Sequence, residues 1–176
     1  MINIEDYSED EITRRLTYSG FALLSFELVK SLIVSPIKAF YWNTTFNDGV
    51  FKSYEEDVLS RHNNEFEACL LYLRDFMEAL DSNDVLTIQA LRKHRNDIAH
   101  ELTSVMERDP NQFLPLLEKV DATLFKLSNY RTYMEIGADP AFKDKGIDWD
   151  TIYGAEYAIF KELVAKVKIL QIPGDV

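Results

Sequence analysis

The sequence predicts an all-α fold, an up-and-down bundle of four to five long antiparallel helices, and three observations carry that expectation. Apolar residues recur at i, i+3/i+4 spacing, as in Phe21, Leu24, Leu28 and Leu32, which sets them along one side of a helix. Only six Gly and five Pro occur in 176 residues, few for an all-β fold with its frequent Gly- and Pro-rich turns. No segment alternates apolar and polar residues over a strand's length. With 47% apolar and 12% aromatic residues the chain can bury a substantial core, and its length fits one domain over residues 1–176.

The elements follow in order. A first helix is expected to start at Ser8-Glu9-Asp10-Glu11, where Ser8 can cap and Glu11 stands three residues on, and to be interrupted or kinked near Pro36. Asn47-Asp48-Gly49 reads as a turn. A second helix is expected over about Tyr54–Leu80, with Phe66, Leu70, Leu73 and Met77 at helical spacing. Ser82-Asn83-Asp84 makes a short break with capping residues, and a third helix then spans about Asp84–Glu107. Pro110 opens a fourth that reaches about Glu135. Gly137 to Asp148 is a loop, and a last helix runs from Asp148 or Asp150 to about Leu170.

Several function classes fall away. The chain has one cysteine, Cys69, which excludes an internal disulfide and a cysteine-based zinc site. No three His, Cys or carboxylate residues stand at a metal-ligand spacing, so neither metal nor other cofactor is expected. A P-loop, a dinucleotide fingerprint and a nucleophile elbow are also absent. The most apolar stretch, Gly20–Trp42, contains Glu27, Lys30, Lys38 and Pro36. It reads as a central bundle helix whose charges pair with other helices, and no membrane association is expected. The N-terminus shows no basic segment followed by an apolar one, so the expected compartment is the cytoplasm. Tyr41-Trp42 and the Tyr153–Tyr157 stretch read as core aromatics. The net charge of −11 argues against a protein that coats nucleic acid, and any RNA chemistry needs a local basic cleft or a basic partner.

One such basic cluster, Arg92-Lys93-His94-Arg95, runs directly into Asn96-Asp97-Ile98-Ala99-His100. At about 100° per residue, Ile88, Leu91, Ile98, Leu102 and Met106 gather on one side of the third helix. Gln89, Lys93, Asn96, His100 and Thr103 gather on the other. Arg95 falls inside the apolar arc, roughly 140° from His100. A guanidinium there must be paired or must lie at a second interface.

Two readings remain open on these residues. In the first, Arg95 forms a buried ion pair with Glu27, the carboxylate within the apolar Phe21–Val34 run, and the chain is a structural helical interaction protein. In the second, Arg95 and His100 flank a cleft that cleaves RNA without metal. His100 would take the 2′-hydroxyl proton, since an imidazole with a pKa of about 6.5 holds both states near neutrality. Arg95 would stabilise the phosphorane with its planar, permanently charged fork. Asn96 would orient the imidazole or donate to the phosphate, and Arg92 and Lys93 would form the phosphate-facing rim of the substrate site.

Leu91-Arg92-Lys93-His94-Arg95-Asn96-Asp97-Ile98-Ala99-His100-Glu101 resembles the R-x4–6-H signature of the HEPN superfamily. Arg95 matches its Arg, Asn96 the polar residue that often follows, and His100 its His. The resemblance implies an up-and-down helical bundle that forms a homodimer and brings two motifs into one composite site. It implies a metal-independent endoribonuclease with RNA as substrate, of the kind found among bacterial toxins and phage-defence effectors, with an antitoxin protein as a further partner. Leu102 stands where one toxin–antitoxin subgroup carries a modifiable Tyr, so nucleotidylation is not implied. Some members of the superfamily are not catalytic, and the alternative is a nucleotide- or protein-binding module.

Overall fold

A computed structural model describes residues 4–44, 49–100, 105–106, 110–137, 139–143 and 145–171. Six α-helices are delimited among them: α1 (Glu9–Asn43), α2 (Tyr54–Asp57), α3 (Glu65–Asp75), α4 (Ser82–His100), α5 (Leu114–Ile136) and α6 (Ala155–Gln171). The described residues contain no strand, and the protein is all-α.

The first helix organises the rest. Ser8 Oγ accepts a hydrogen bond from the Glu11 amide at 3.2 Å, and Glu9, Asp10 and Glu11 complement the positive end of the helix dipole. The helix runs through Pro36 without interruption for 35 residues, although proline leaves the Leu32 carbonyl without its usual i+4 donor. Burial of Ile33, Ile37 and Tyr41 on either side holds the segment helical against that local cost. By length and apolar composition α1 could cross a membrane. In this fold its Phe21, Ala22, Phe26, Val29 and Ile33 lie in the core. It packs against α3, α4, α5 and α6; Phe26 meets Phe66 edge-on at 5.4 Å and Phe21 stacks on Phe160 at 5.8 Å.

The stretch read as one helix over Tyr54–Leu80 is broken. Ser53 caps α2 through the Glu56 amide at 3.1 Å. A single 3-10 turn, Leu59–Arg61, comes next, and Asn64 caps α3 through the Glu67 amide at 3.2 Å. Two separate caps outweigh the continuous apolar spacing. Helix α3 then closes at Asp75, where Glu78 takes φ +53° and the Ala79 amide reaches back to the Leu73 carbonyl at 2.9 Å.

Asp81 and Asp84 start α4 reciprocally. The Asp81 carboxylate accepts from the Asp84 amide at 2.9 Å, and Asp84 Oδ2 accepts from the Asp81 amide at 3.0 Å. Helix α4 packs on α1, α3 and α5. The expected continuation to Glu107 falls partly on 101–104 and 107–109, outside the described residues, as do Leu102 and Thr103. The last helix begins at Ala155 rather than at Asp148 or Asp150. Asp148 instead caps one 3-10 turn, Trp149–Thr151, and α5 grips this turn and the residues leading into α6. Asn129 Nδ2 donates to the Trp149 and Ile152 carbonyls at 2.7 and 2.9 Å, and Ser128 Oγ accepts from the Gly154 amide at 2.8 Å. Of the aromatics expected in the core, Tyr41 and Tyr157 are buried, whereas Trp42 and Tyr153 are exposed.

Candidate functional site

The C-terminal half of α4 carries the Arg-Asn…His motif, and the elements around it fix each side chain differently. Ile88, Leu91, His94 and Ile98 form the buried side of the helix. His94 is 4% exposed. Its Nε2 lies 3.0 Å from the Tyr18 hydroxyl on α1, and its ring stacks on Phe113 at 3.8 Å. The space beside it, lined by Arg15, Tyr18 and Phe113, amounts to about 10 Å³. That is room for one water at most, so His94 belongs to the core.

Arg95 stands where α4 crosses α1. Its Nη2 donates to Glu27 Oε1 at 3.2 Å, its Nη1 donates to Asn96 Oδ1 at 3.2 Å, and its guanidinium carbon sits 5.6 Å from the centre of the Phe26 ring. The aromatic face and the carboxylate together answer the question of a cation on an apolar arc. The pair is not buried: the Arg95 side chain is 31% exposed and that of Glu27 53%. Glu27 also has Lys30 Nζ 4.0 Å from its second oxygen. The third charge of the apolar run, Lys38, pairs with Glu65 of α3 at 2.8 Å, and this partner, with the Tyr54 hydroxyl, holds the Glu65 carboxyl below its ordinary value.

The remaining motif residues face outward to different degrees. Asn96 is partly buried, and His100 and Lys93 are exposed. Arg92 is taken up by Glu67 of α3 and lies 5.8 Å over the Phe66 ring. Gln89 Nε2 donates to the same carboxylate at 3.0 Å. The structure thus brings Arg95, Asn96 and Glu27 together and neutralises Arg92. Among the described residues no hydrogen bond or ion pair joins His100 to Arg95 or Asn96. Within the single chain the arrangement presents a tethered guanidinium and, further along the helix, an exposed imidazole.

Sequence reasoning missed two features. The His94–Tyr18–Phe113 stack leaves no local signal, because Tyr18 is 76 residues away. A groove of about 510 Å³ between α4 and α5, floored by Leu86, Ala90, Leu116 and Ala122, also escaped it. At its end Lys126 Nζ binds Asp84 at 2.8 Å and Asp81 at 3.1 Å. The Asp84 carboxylate raises the Lys126 ammonium above its usual range, and the Asp84 amide lowers the Asp81 carboxyl. These charges satisfy one another, and Asp84 Oδ1 also accepts from the Thr123 hydroxyl at 3.1 Å. Among the described residues no group of three His, Cys, Asp or Glu side chains is placed to hold a metal ion. Compared with known protein families, curated proteins and solved structures, the chain matches none.

Proposed function

We propose that the chain is a HEPN-like, metal-independent endoribonuclease, a single helical domain with an up-and-down bundle arrangement that acts in the cytoplasm as a homodimer. The observation that carries this reading is the margin of α4. There a guanidinium fixed by Asn96 and the Phe26 ring is followed by an exposed His100. Packing of α1 against α3, α4, α5 and α6, of α4 on α5 and of α5 on α6 supports the bundle arrangement. The composite site calls for a second copy. Support for its place comes from α1, where Leu16 and Leu24 are 54% and 61% exposed and share with Glu27 the side of the helix turned from the core.

In the proposed reaction the neutral His100 imidazole removes the proton of an RNA 2′-hydroxyl. The 2′-oxygen attacks the adjacent phosphorus, and Arg95 stabilises the charge that builds on the phosphoryl oxygens. The bond from phosphorus to the 5′-oxygen then breaks. That oxygen takes a proton from the protonated His100 of the second copy, leaving a 2′,3′-cyclic phosphate and a 5′-hydroxyl. Lys93 supplies the rim charge, and Arg92 contributes only when RNA displaces Glu67. A toxin or phage-defence role, with an antitoxin protein covering the cleft, is consistent with such an activity.

The test is RNA cleavage in the presence of a chelator by wild type, His100→Ala and Arg95→Ala. Cleavage should fall by at least about 10²-fold in His100→Ala, the scale of a lost general base. Equal activity in all three proteins would assign the cleavage to a contaminant and remove the proposal. A second reading, a non-catalytic interaction or nucleotide-binding module, is favoured by the Arg95–Glu27 and Arg92–Glu67 pairs, which engage the cations an RNA site would use. It would gain if no protein cleaved and if Arg95→Ala and Glu27→Ala lowered stability alike.

A further inference from the structure

A phosphate-binding arginine needs free fork positions and an uncancelled charge, and Arg95 has neither in full. Its Nη1 is held by Asn96 and its Nη2 by Glu27, while its Nε is buried with no hydrogen-bond partner among the described residues. Asn96 is neutral and leaves the guanidinium charge in place. Glu27 cancels it. The same carboxylate is 53% exposed, so water and ions screen the pair and a chain of phosphates can displace it. A displaced Glu27 also has a second cation at hand, because Lys30 Nζ lies 4.0 Å from its other oxygen on the same helix. The Phe26 ring and Asn96 would keep the guanidinium in position after the carboxylate swings away.

We propose that Glu27 is a latch on Arg95: its carboxylate competes with RNA phosphate for the guanidinium and so sets the affinity of the site. The inference rests on the endoribonuclease reading and deepens it, since it assigns Glu27 a positioning role that opposes substrate. Removal of the carboxylate, not of the arginine, is then the change that improves binding.

The test uses a fluorescent single-stranded RNA with 2′-O-methyl riboses, which cannot be cleaved, and reads affinity by anisotropy at fixed low salt. Glu27→Gln should bind about three- to five-fold more tightly than wild type, the scale on which an exposed ion pair acts. Glu118→Gln is the control. It removes an equal charge from a comparable surface pair, Lys168–Glu118 at 3.2 Å, and should bind like wild type. In an Arg95→Gln background the Glu27→Gln gain should vanish. A gain no larger than that of Glu118→Gln, or one that persists without Arg95, would overturn the latch, as would absence of RNA binding by every protein.

Cleavage of unmodified RNA by the same proteins and by His100→Ala separates the two readings. Tighter binding by Glu27→Gln with no cleavage anywhere keeps the latch and removes the nuclease. Cleavage that depends on His100, with unchanged Glu27→Gln affinity, does the reverse.

Discussion

Two histidines of α4 meet opposite environments. The His94 ring is packed on Phe113 and bonded to the Tyr18 hydroxyl, whereas His100 is exposed. Truncating the first empties part of the core and removes the hydrogen bond to the Tyr18 hydroxyl, a loss of roughly 2–4 kcal/mol. Truncating the second changes stability by no more than about 0.5 kcal/mol. Urea denaturation of His94→Ala and His100→Ala should therefore give a lowered midpoint for the first and a wild-type midpoint for the second. A wild-type midpoint for His94→Ala would contradict the packing of its ring against Phe113 and Tyr18. The contrast matters for the activity test, because a cleavage defect in His94→Ala would be structural, while one in His100→Ala would not. At this scale the sequence named the residues of the motif and Glu27 as the partner of Arg95, but expected that pair to be buried. Arg95 stood out by its helical angle; that Phe26 would lie under it, and that its pair with Glu27 would stand in the open, depends on how α1 and α4 cross, which no local pattern encodes.

At the scale of elements, the side-chain-capped helix starts are legible features, because such a cap is written within four residues. Ser8 with Glu11 marks α1. Ser53 with Glu56 and Asn64 with Glu67 mark two further starts, and those signals stand in the sequence for a reader who weighs caps above apolar spacing. Pro36 misleads in the other direction. Its local preference is to stop a helix, but the long-range burial of Ile33, Ile37 and Tyr41 decides the outcome. Since α1 tolerates the proline without needing it, Pro36→Ala should restore the missing amide donor and raise stability by about 1–3 kcal/mol. The expected signature is a higher urea midpoint with an unchanged slope; a lower midpoint would mean that the ring itself fills a packing role.

For the whole molecule, the governing quantity is the net charge of −11. Much of the positive charge is already spoken for: Arg92 by Glu67, Arg95 by Glu27, Lys126 by Asp81 and Asp84, and Arg131 by Glu135 and Glu156. The unbalanced remainder is acidic and repels itself, so moderate salt should stabilise the fold by screening. The proposed RNA binding responds with the opposite sign, because salt weakens phosphate contacts of Arg and Lys. Raising sodium chloride from about 50 to 300 mM should therefore raise the melting temperature while lowering RNA cleavage. A fall in both would show that attractive surface pairs, not net repulsion, dominate the stability.

The reach of α1 has a consequence for how the protein is made. A ribosome adds about 5–20 residues per second, and α1 emerges long before the helix that stacks Phe160 on Phe21. Through that interval α3, α4 and α5 can cover their share of α1, but the Phe21 face that α6 covers stays exposed on the nascent chain. The helix bearing Glu27 and Phe26 is therefore fully covered only when α6, the last of its partners in chain order, arrives.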